Sequence, residues 1–237
     1  MIYALLVTIF RAANLIGGHR TSRVGRGLLP ATGGVVLAIN HTSYVDFTYI
    51  GISVRDVDRR LIRFMGKVEL RRNPLLRWLM WGCKVIPVDR SAGRDAYRAA
   101  VEELRAGEVV GIYPEATISR SLEIKELKTG AARMALEARV PILPGIVWGS
   151  QRIAPKGGAM RLGRTRTPVS VAIGDPLPPI GTAEELTATL HVAMTDLLHE
   201  VQDAYGTHPA GEPWVPARLG GSAPTREEAD RWDAGSR

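Results

Sequence analysis

Four apolar runs, at 35–39, 109–113, 142–148 and 169–173, constrain the fold more than any other feature of this chain. Each is short, rich in Val and Ile or flanked by turn residues, and reads as a buried strand. Two weaker segments, 59–65 and 85–88, add strands. Helical signals lie between them. Residues 47–54 suit a short helix, 74–81 are rich in Leu and Trp, and 131–138 suit another helix. Tyr97, Ala100, Val101 and Leu104 have helical spacing, with Gly107 placed to stop it. Thr182 and Glu185 make a T-x-x-E capping box, which opens a helix with Leu186, Leu190, Met194, Leu197 and Val201 on one face. Strands alternating with helices predict an α/β fold: a mixed, largely parallel central sheet flanked by helices.

At 237 residues and 45% apolar, the chain can build one sizeable core, placed at 30–205. Residues 1–29 read as a membrane-associating segment. A bilayer span takes about 20 apolar residues, and only ten precede Arg11. The segment also lacks the early charge and cleavage site of a secretory signal. An N-terminal interfacial helix and an ordinary helix packed on the domain both fit. A basic loop with His19, Arg20, Arg23 and Arg26 follows. Residues 206–237 are rich in Pro and Gly without periodicity, and read as an extended or partly disordered tail wrapped on the domain. The net charge of +7 favours an anionic partner. No lysine-rich tail or aromatic-basic ladder of the nucleic-acid kind is present. Cys83 is the only cysteine, which rules out an intrachain disulfide, suggests a reducing compartment and suits a small buried hydrophobe.

The step from His41 to Asp46 follows the first buried run directly. On a helix, five positions at about 100° each would turn the two side chains about 140° apart. They can meet only if His41 sits in the strand-to-helix turn and Asp46 in the first helical turn. Ser43 as N-cap, with Asp46 three residues on, favours that arrangement, and a plain capping box explains the same residues. If the pair is catalytic, an imidazole oriented by a carboxylate can take a proton from a substrate hydroxyl. No G-x-S-x-G elbow supplies an enzyme serine in its place. Metal catalysis has little support: there is no H-E-x-x-H or cysteine cluster. A second polar turn, 113–120, follows another buried run and offers Glu115, Thr117, Ser119 and Arg120 at a strand's carboxyl end, with Lys125 and Lys128 beyond. Open α/β sheets bind ligands at such ends, although a polar surface loop reads the same way.

Taken in order, these segments resemble the glycerolipid acyltransferase family that includes the 1-acylglycerol-3-phosphate acyltransferases. Residues 40–46 (NHTSYVD) match its NHxxxxD block. Residues 82–90 (GCKVIPVDR) are similar to its glycine-to-arginine block, 113–120 (YPEATISR) to FPEGTRSR and 140–144 (VPILP) to VPIxP. Residues 67–70 (KVEL) match a KxEL element, and 127–130 (LKTG) resemble FKxG. The resemblance covers about 30–175 and implies acyl transfer from a thioester, acyl-CoA or acyl-carrier protein, to a glycerophosphate hydroxyl in phospholipid biosynthesis. It implies His41 as general base, Asp46 as its partner, and Arg90, Glu115 and Thr117 as acceptor-binding residues. No metal or bound cofactor is implied, since the thioester is a co-substrate. Two positions depart from the pattern. Ala116 replaces the usual glycine, and Ile118 stands where the family carries an arginine for the substrate phosphate. Arg120, helped by Lys67 or Lys128, is the expected compensation, and an acceptor with another headgroup is the alternative.

Residues 71–81 mix Arg71, Arg72 and Arg77 with Trp78 and Trp81, and 151–168 hold five basic residues (Arg152, Lys156, Arg161, Arg164, Arg166) and no acid. Both suit an anionic membrane surface. The expectation is a peripheral or monotopic enzyme at the cytoplasmic face of the cell membrane, binding an acyl donor and a lysophospholipid and no nucleic acid. A non-catalytic anionic-lipid or nucleic-acid binding module with a decayed site is the rival from another class.

Overall fold

The computed structural model describes residues 2–25, 27–88, 93–161 and 163–234. In chain order the first half forms α1 (Ile2–Gly17), β1 (Arg20–Val24), β2 (Val35–Ile39), α2 (Asp46–Val57), β3 (Ile62–Lys67), α3 (Pro74–Gly82) and β4 (Ile86–Val88). The second half forms α4 (Gly93–Arg105), β5 (Val109–Ile112), α5 (Gly130–Ala138), β6 (Ile142–Trp148), β7 (Pro168–Ile173), α6 (Ala183–Tyr205) and α7 (Arg226–Ala234). The strands make one sheet in the order β1-β7-β6-β2-β5-β3-β4. Every pair is parallel except β6 with β7. The sheet is mixed and largely parallel, as expected, and β2 to β6 all point one way.

Helices cover both faces, which is why the central runs are apolar at every position. Successive side chains alternate faces. Val35, Leu37 and Ile39 pack with Tyr49, Ile50 and Val54 of α2. Val36 and Ala38 join Ala100 and Leu104 of α4, Ala131 and Ala135 of α5, and Leu190 and Met194 of α6 on the other side. The capping box of α6 forms: Glu185 N–H donates to Thr182 Oγ1 at 3.2 Å, and Thr182 N–H to Glu185 Oε2 at 2.8 Å. Leu198, four residues after Met194, takes the fully buried place expected for Leu197, which packs at the margin.

Three expectations need correction. The basic loop after α1 contains an edge strand, β1, paired with β7, and its charged side chains suit a sheet edge. The tail is folded. Trp214, Val215, Ala223 and Ala229 are buried, and α7 opens with a second T-x-x-E pattern: Thr225 N–H donates to Glu228 Oε2 at 2.9 Å and Glu228 N–H to Thr225 Oγ1 at 3.3 Å. Pro and Gly made this stretch look structureless, yet one buried tryptophan, its neighbour Val215 and a cap help to order it. Ser43 is not the N-cap of α2. That place falls to Val45, which makes no side-chain cap bond.

The segment α1 packs against α2 and α3 and buries only Val7 and Gly17, leaving Leu5, Ile9, Leu15 and Ile16 exposed. No helix among the described residues is long and apolar enough to cross a membrane.

Candidate active site

The parallel block brings the ends of β2, β5, β3 and β6 to one edge, and the sequence-predicted residues sit in the turns there. His41 lies in the turn after β2, and Asp46 is the first residue of α2. His41 Nδ1 is 3.1 Å from Asp46 Oδ2. Asp46 is fully buried while His41 keeps 21% of its side chain exposed, so the ring's outer side faces accessible space. Four donors converge on the Asp46 carboxylate. Thr42 N–H and Ser43 N–H bond Oδ2 at 2.9 and 2.8 Å, His41 shares that oxygen, and Ser150 Oγ donates to Oδ1 at 2.5 Å. A carboxylate is acceptor-only, so Nδ1 carries the proton and Nε2 presents a lone pair. The helix N-terminus and the charge-assisted bonds make a buried anion tolerable here.

Ser43 serves the turn differently from the expected cap. Its Oγ lies 3.0 Å from Ser150 O and 2.9 Å from Ala154 O, and accepts from Val45 N–H at 3.3 Å. It ties the His41 turn to the segment after β6. Asn40 adds a second tie, exchanging two bonds with Val147 across β2 and β6 at 3.1 and 2.7 Å.

The turn after β5 closes the other side. The Tyr113 ring stacks on His41 with centroids 4.1 Å apart. Glu115 is buried and spends both oxygens on backbone: His41 N–H at 2.8 Å and Lys125 N–H at 3.1 Å. Burial pushes its carboxyl up to about 8, against the pull of those two bonds. Ser119 N–H donates to His41 O at 2.7 Å. Glu115 is therefore a clamp between two turns, where the sequence suggested an acceptor ligand.

Ala116 and Thr117 are exposed at the tip. Ala116 has φ 61°, the left-handed conformation that explains a usual glycine. Thr117 Oγ1 accepts from Lys125 Nζ at 3.2 Å. Ile118 is 5% exposed and belongs to the core. Arg120 Nε lies 3.4 Å from Asp233 of α7. Lys67, at the end of β3, and Lys128 are exposed; neither is hydrogen-bonded or ion-paired to His41 or Asp46. Arg90 lies outside the described residues. The sequence reading missed Ser150, Lys156 and Asp233 as site neighbours. Ser150 and Lys156 follow β6, which strand order sets beside β2, and Asp233 arrives on the tail helix α7.

A histidine held by a buried carboxylate, at the carboxyl edge of a parallel sheet, can draw a proton from a hydroxyl brought to its outer nitrogen. Comparison with known proteins identifies the family. The model of the Acyltransferase family matches residues 22–148. A 1-acyl-sn-glycerol-3-phosphate acyltransferase of Bacillus subtilis (strain 168) is 30% identical over 175 residues, covering 73% of this chain and 81% of the relative. A chloroplastic 1-acyl-sn-glycerol-3-phosphate acyltransferase of Brassica napus is 27% identical over 126 residues, 52% of this chain and 35% of that longer protein. In fold, the crystal structure of the 1-acyl-sn-glycerophosphate (LPA) acyltransferase PlsC from Thermotoga maritima matches with a TM-score of 0.68 at 23% identity, over 84% of this chain and 79% of that one. The chain belongs to the Acyltransferase family and is an enzyme of the 1-acylglycerol-3-phosphate O-acyltransferase-like kind.

Proposed function

We propose that the enzyme moves a fatty acyl group from a thioester, acyl-CoA or acyl-carrier protein, to the free hydroxyl of lysophosphatidic acid, with His41 as general base. The observation that carries this reading is the 3.1 Å contact of His41 Nδ1 with fully buried Asp46. The acceptor oxygen attacks the thioester carbonyl carbon as its proton passes to His41 Nε2. The C–O bond forms, the tetrahedral intermediate collapses, the C–S bond breaks, and the leaving thiolate takes the proton from the imidazolium. Asp46 holds the tautomer and balances the imidazolium charge. Glu115 and Tyr113 position the ring, while Arg90, Thr117, Ala116, Arg120, Lys67 and Lys128 are the residues proposed around the acceptor. The chain's similarity to 1-acyl-sn-glycerol-3-phosphate acyltransferases supports the acceptor class. His41→Ala in purified protein should abolish thiol release from acyl-CoA with lysophosphatidic acid, and wild-type turnover in that variant would sink the mechanism.

A second reading, favoured by Ile118, is an acceptor with another headgroup: glycerol 3-phosphate or a different lysophospholipid. An apolar side chain in the core supplies no phosphate partner. Ile118→Arg should then raise turnover on lysophosphatidic acid, and an unchanged rate would argue that neighbouring cations already hold the phosphate.

The same reading places the enzyme peripherally on an anionic membrane surface, at the cytoplasmic face of the cell membrane. Leu75, Trp78 and Trp81 of α3 are exposed, as are Leu5, Ile9, Leu15 and Ile16 of the neighbouring α1. Arg71, Arg72 and Arg77 sit beside them. A groove of about 480 Å³ lined by Trp78, Met80, Trp81 and Val85, with Arg71 and Arg77 at its side, offers apolar room for a lipid chain.

A further inference from the structure

Helix α7 reaches back to the turn after β5, and there Asp233 is gripped by three cations. Its carboxylate accepts from Lys125 Nζ at 2.5 Å and Lys156 Nζ at 2.8 Å, with Arg120 Nε at 3.4 Å. The same lysines are tied to the turn that carries the site. Lys125 Nζ donates to Thr117 Oγ1 at 3.2 Å and Lys156 Nζ to Ile118 O at 3.3 Å, while the next residue, Ser119, bonds His41 O. Burial alone would raise the Asp233 carboxyl, yet hydrogen bonds and charges from Lys125 and Lys156 hold it near 2. The contact is therefore complete above the ordinary carboxyl range and fails only as pH falls toward 2.

Beside this ring is a pocket of about 310 Å³, lined by Thr42, Arg120, Arg152, Lys156, Arg161 and Trp232 among others. Thr42 follows His41 directly and is 2% exposed, and its Oγ1 finds no hydrogen-bond partner among the described residues. Three cations against one carboxylate leave positive charge that Asp233 does not cancel. Glu115, whose carboxyl burial raises, is engaged by the backbone N–H groups of His41 and Lys125 and is bonded to none of the three cationic heads. A phosphate monoester, at about −1.5 to −2 and with three acceptor oxygens, matches such a ring better than a carboxylate does.

We propose that Arg120, Lys125 and Lys156 form a phosphate-monoester site beside His41, and that Asp233 of α7 is its built-in competitor. It rests on the acyl-transfer reading only for the reaction that the site serves. The phosphate belongs either to the acceptor headgroup or to the CoA part of the donor. A ligand must displace Asp233, so the C-terminal helix sets how tightly the phosphate is held.

The test uses the full chain as wild type, Asp233→Asn and Lys156→Gln, and follows tryptophan fluorescence, since Trp232 lines the pocket. Titrated with inorganic phosphate and with glycerol 3-phosphate, Asp233→Asn should bind about tenfold tighter and Lys156→Gln about tenfold weaker than wild type. Equal affinities, or weaker binding in a folded Asp233→Asn, would overturn the proposal and leave Asp233 a structural tie. Should Asp233→Asn fail to fold, unchanged binding in Lys156→Gln overturns it independently. In turnover, a lower KM for the lysolipid in Asp233→Asn assigns the phosphate to the acceptor. A lower KM for acyl-CoA, but not for the dephospho-CoA thioester, assigns it to the donor. Neither KM moving overturns the site. An active His41→Ala would defeat the general-base reading, and the phosphate titration would still stand or fall alone.

Discussion

Ser150→Ala tests whether Asp46 is a water-excluded anion. Among the described residues Ser150 Oγ gives Asp46 Oδ1 its one hydrogen bond, at 2.5 Å, and both residues are fully buried. A hydrogen bond to a charged group contributes about 1.5–3 kcal/mol, and a neutral one about 1. At about 2–4 °C per kcal/mol for a chain of this size, loss of about 2 kcal/mol lowers Tm by about 4–8 °C. The bonds from Thr42 N–H, Ser43 N–H and His41 to Oδ2 remain, so the imidazole stays oriented and kcat should fall less than about tenfold. Asp46→Ala removes the acceptor altogether and should cost about a hundredfold or more. Thermal melts by circular dichroism and thiol release from acyl-CoA measure the two effects. A melt within about 1 °C of wild type would refute the buried charged acceptor. A rate loss as deep as that of Asp46→Ala would place Ser150 in the proton path.

At φ 61°, the exposed Ala116 holds a Cβ where about 1–2 kcal/mol of strain is expected. Ala116→Gly relieves it at a chain-entropy cost of about 0.5–1 kcal/mol, so the denaturant midpoint should rise slightly; a clear fall would contradict the turn geometry. Glu115, raised from 4.5 to about 8 by burial, keeps in the folded state a proton that the unfolded chain releases. Stability should therefore fall as pH climbs from 4.5 to 8, and Glu115→Gln should flatten that slope even though its amide loses one backbone partner. A slope equal to wild type would assign the pH dependence elsewhere. Trp81, 74% exposed on α3, should contribute to vesicle binding. In flotation with anionic vesicles, Trp81→Ala should release part of the protein without shifting its melt, and Arg71→Gln and Arg72→Gln should each weaken binding by about 1 kcal/mol, more at low salt. Unchanged flotation in all three would remove this face from the membrane.

What could be read in the sequence follows from how far apart the cooperating residues lie. The strands (β1 excepted), α4 and the cap of α6 are local patterns, and so is the His41–Asp46 pair: five residues suffice once a strand ends and a helix begins. Thr225 and Glu228 carry the same T-x-x-E chemistry as Thr182 and Glu185, but a Pro- and Gly-rich setting hid it. Helix α7 is held mainly by its return to the domain, which no local period records. Ser150 meets Asp46 across 104 positions because β6 lies next to β2, and Glu115 meets His41 across 74 because β5 lies on its other side. Strand order is a product of long-range packing, and a parallel sheet leaves no hairpin to announce it. Yet once order is known, a simple rule follows. Turns after neighbouring parallel strands share an edge, so the residues just past β2, β5 and β6 must form one site. That rule recovers Glu115 and Ser150. It does not recover Asp233, whose place depends on a tail folding back after the sheet is complete. A helix added last, with its carboxylate among three cations at that edge, is therefore positioned to govern the site without helping to build it.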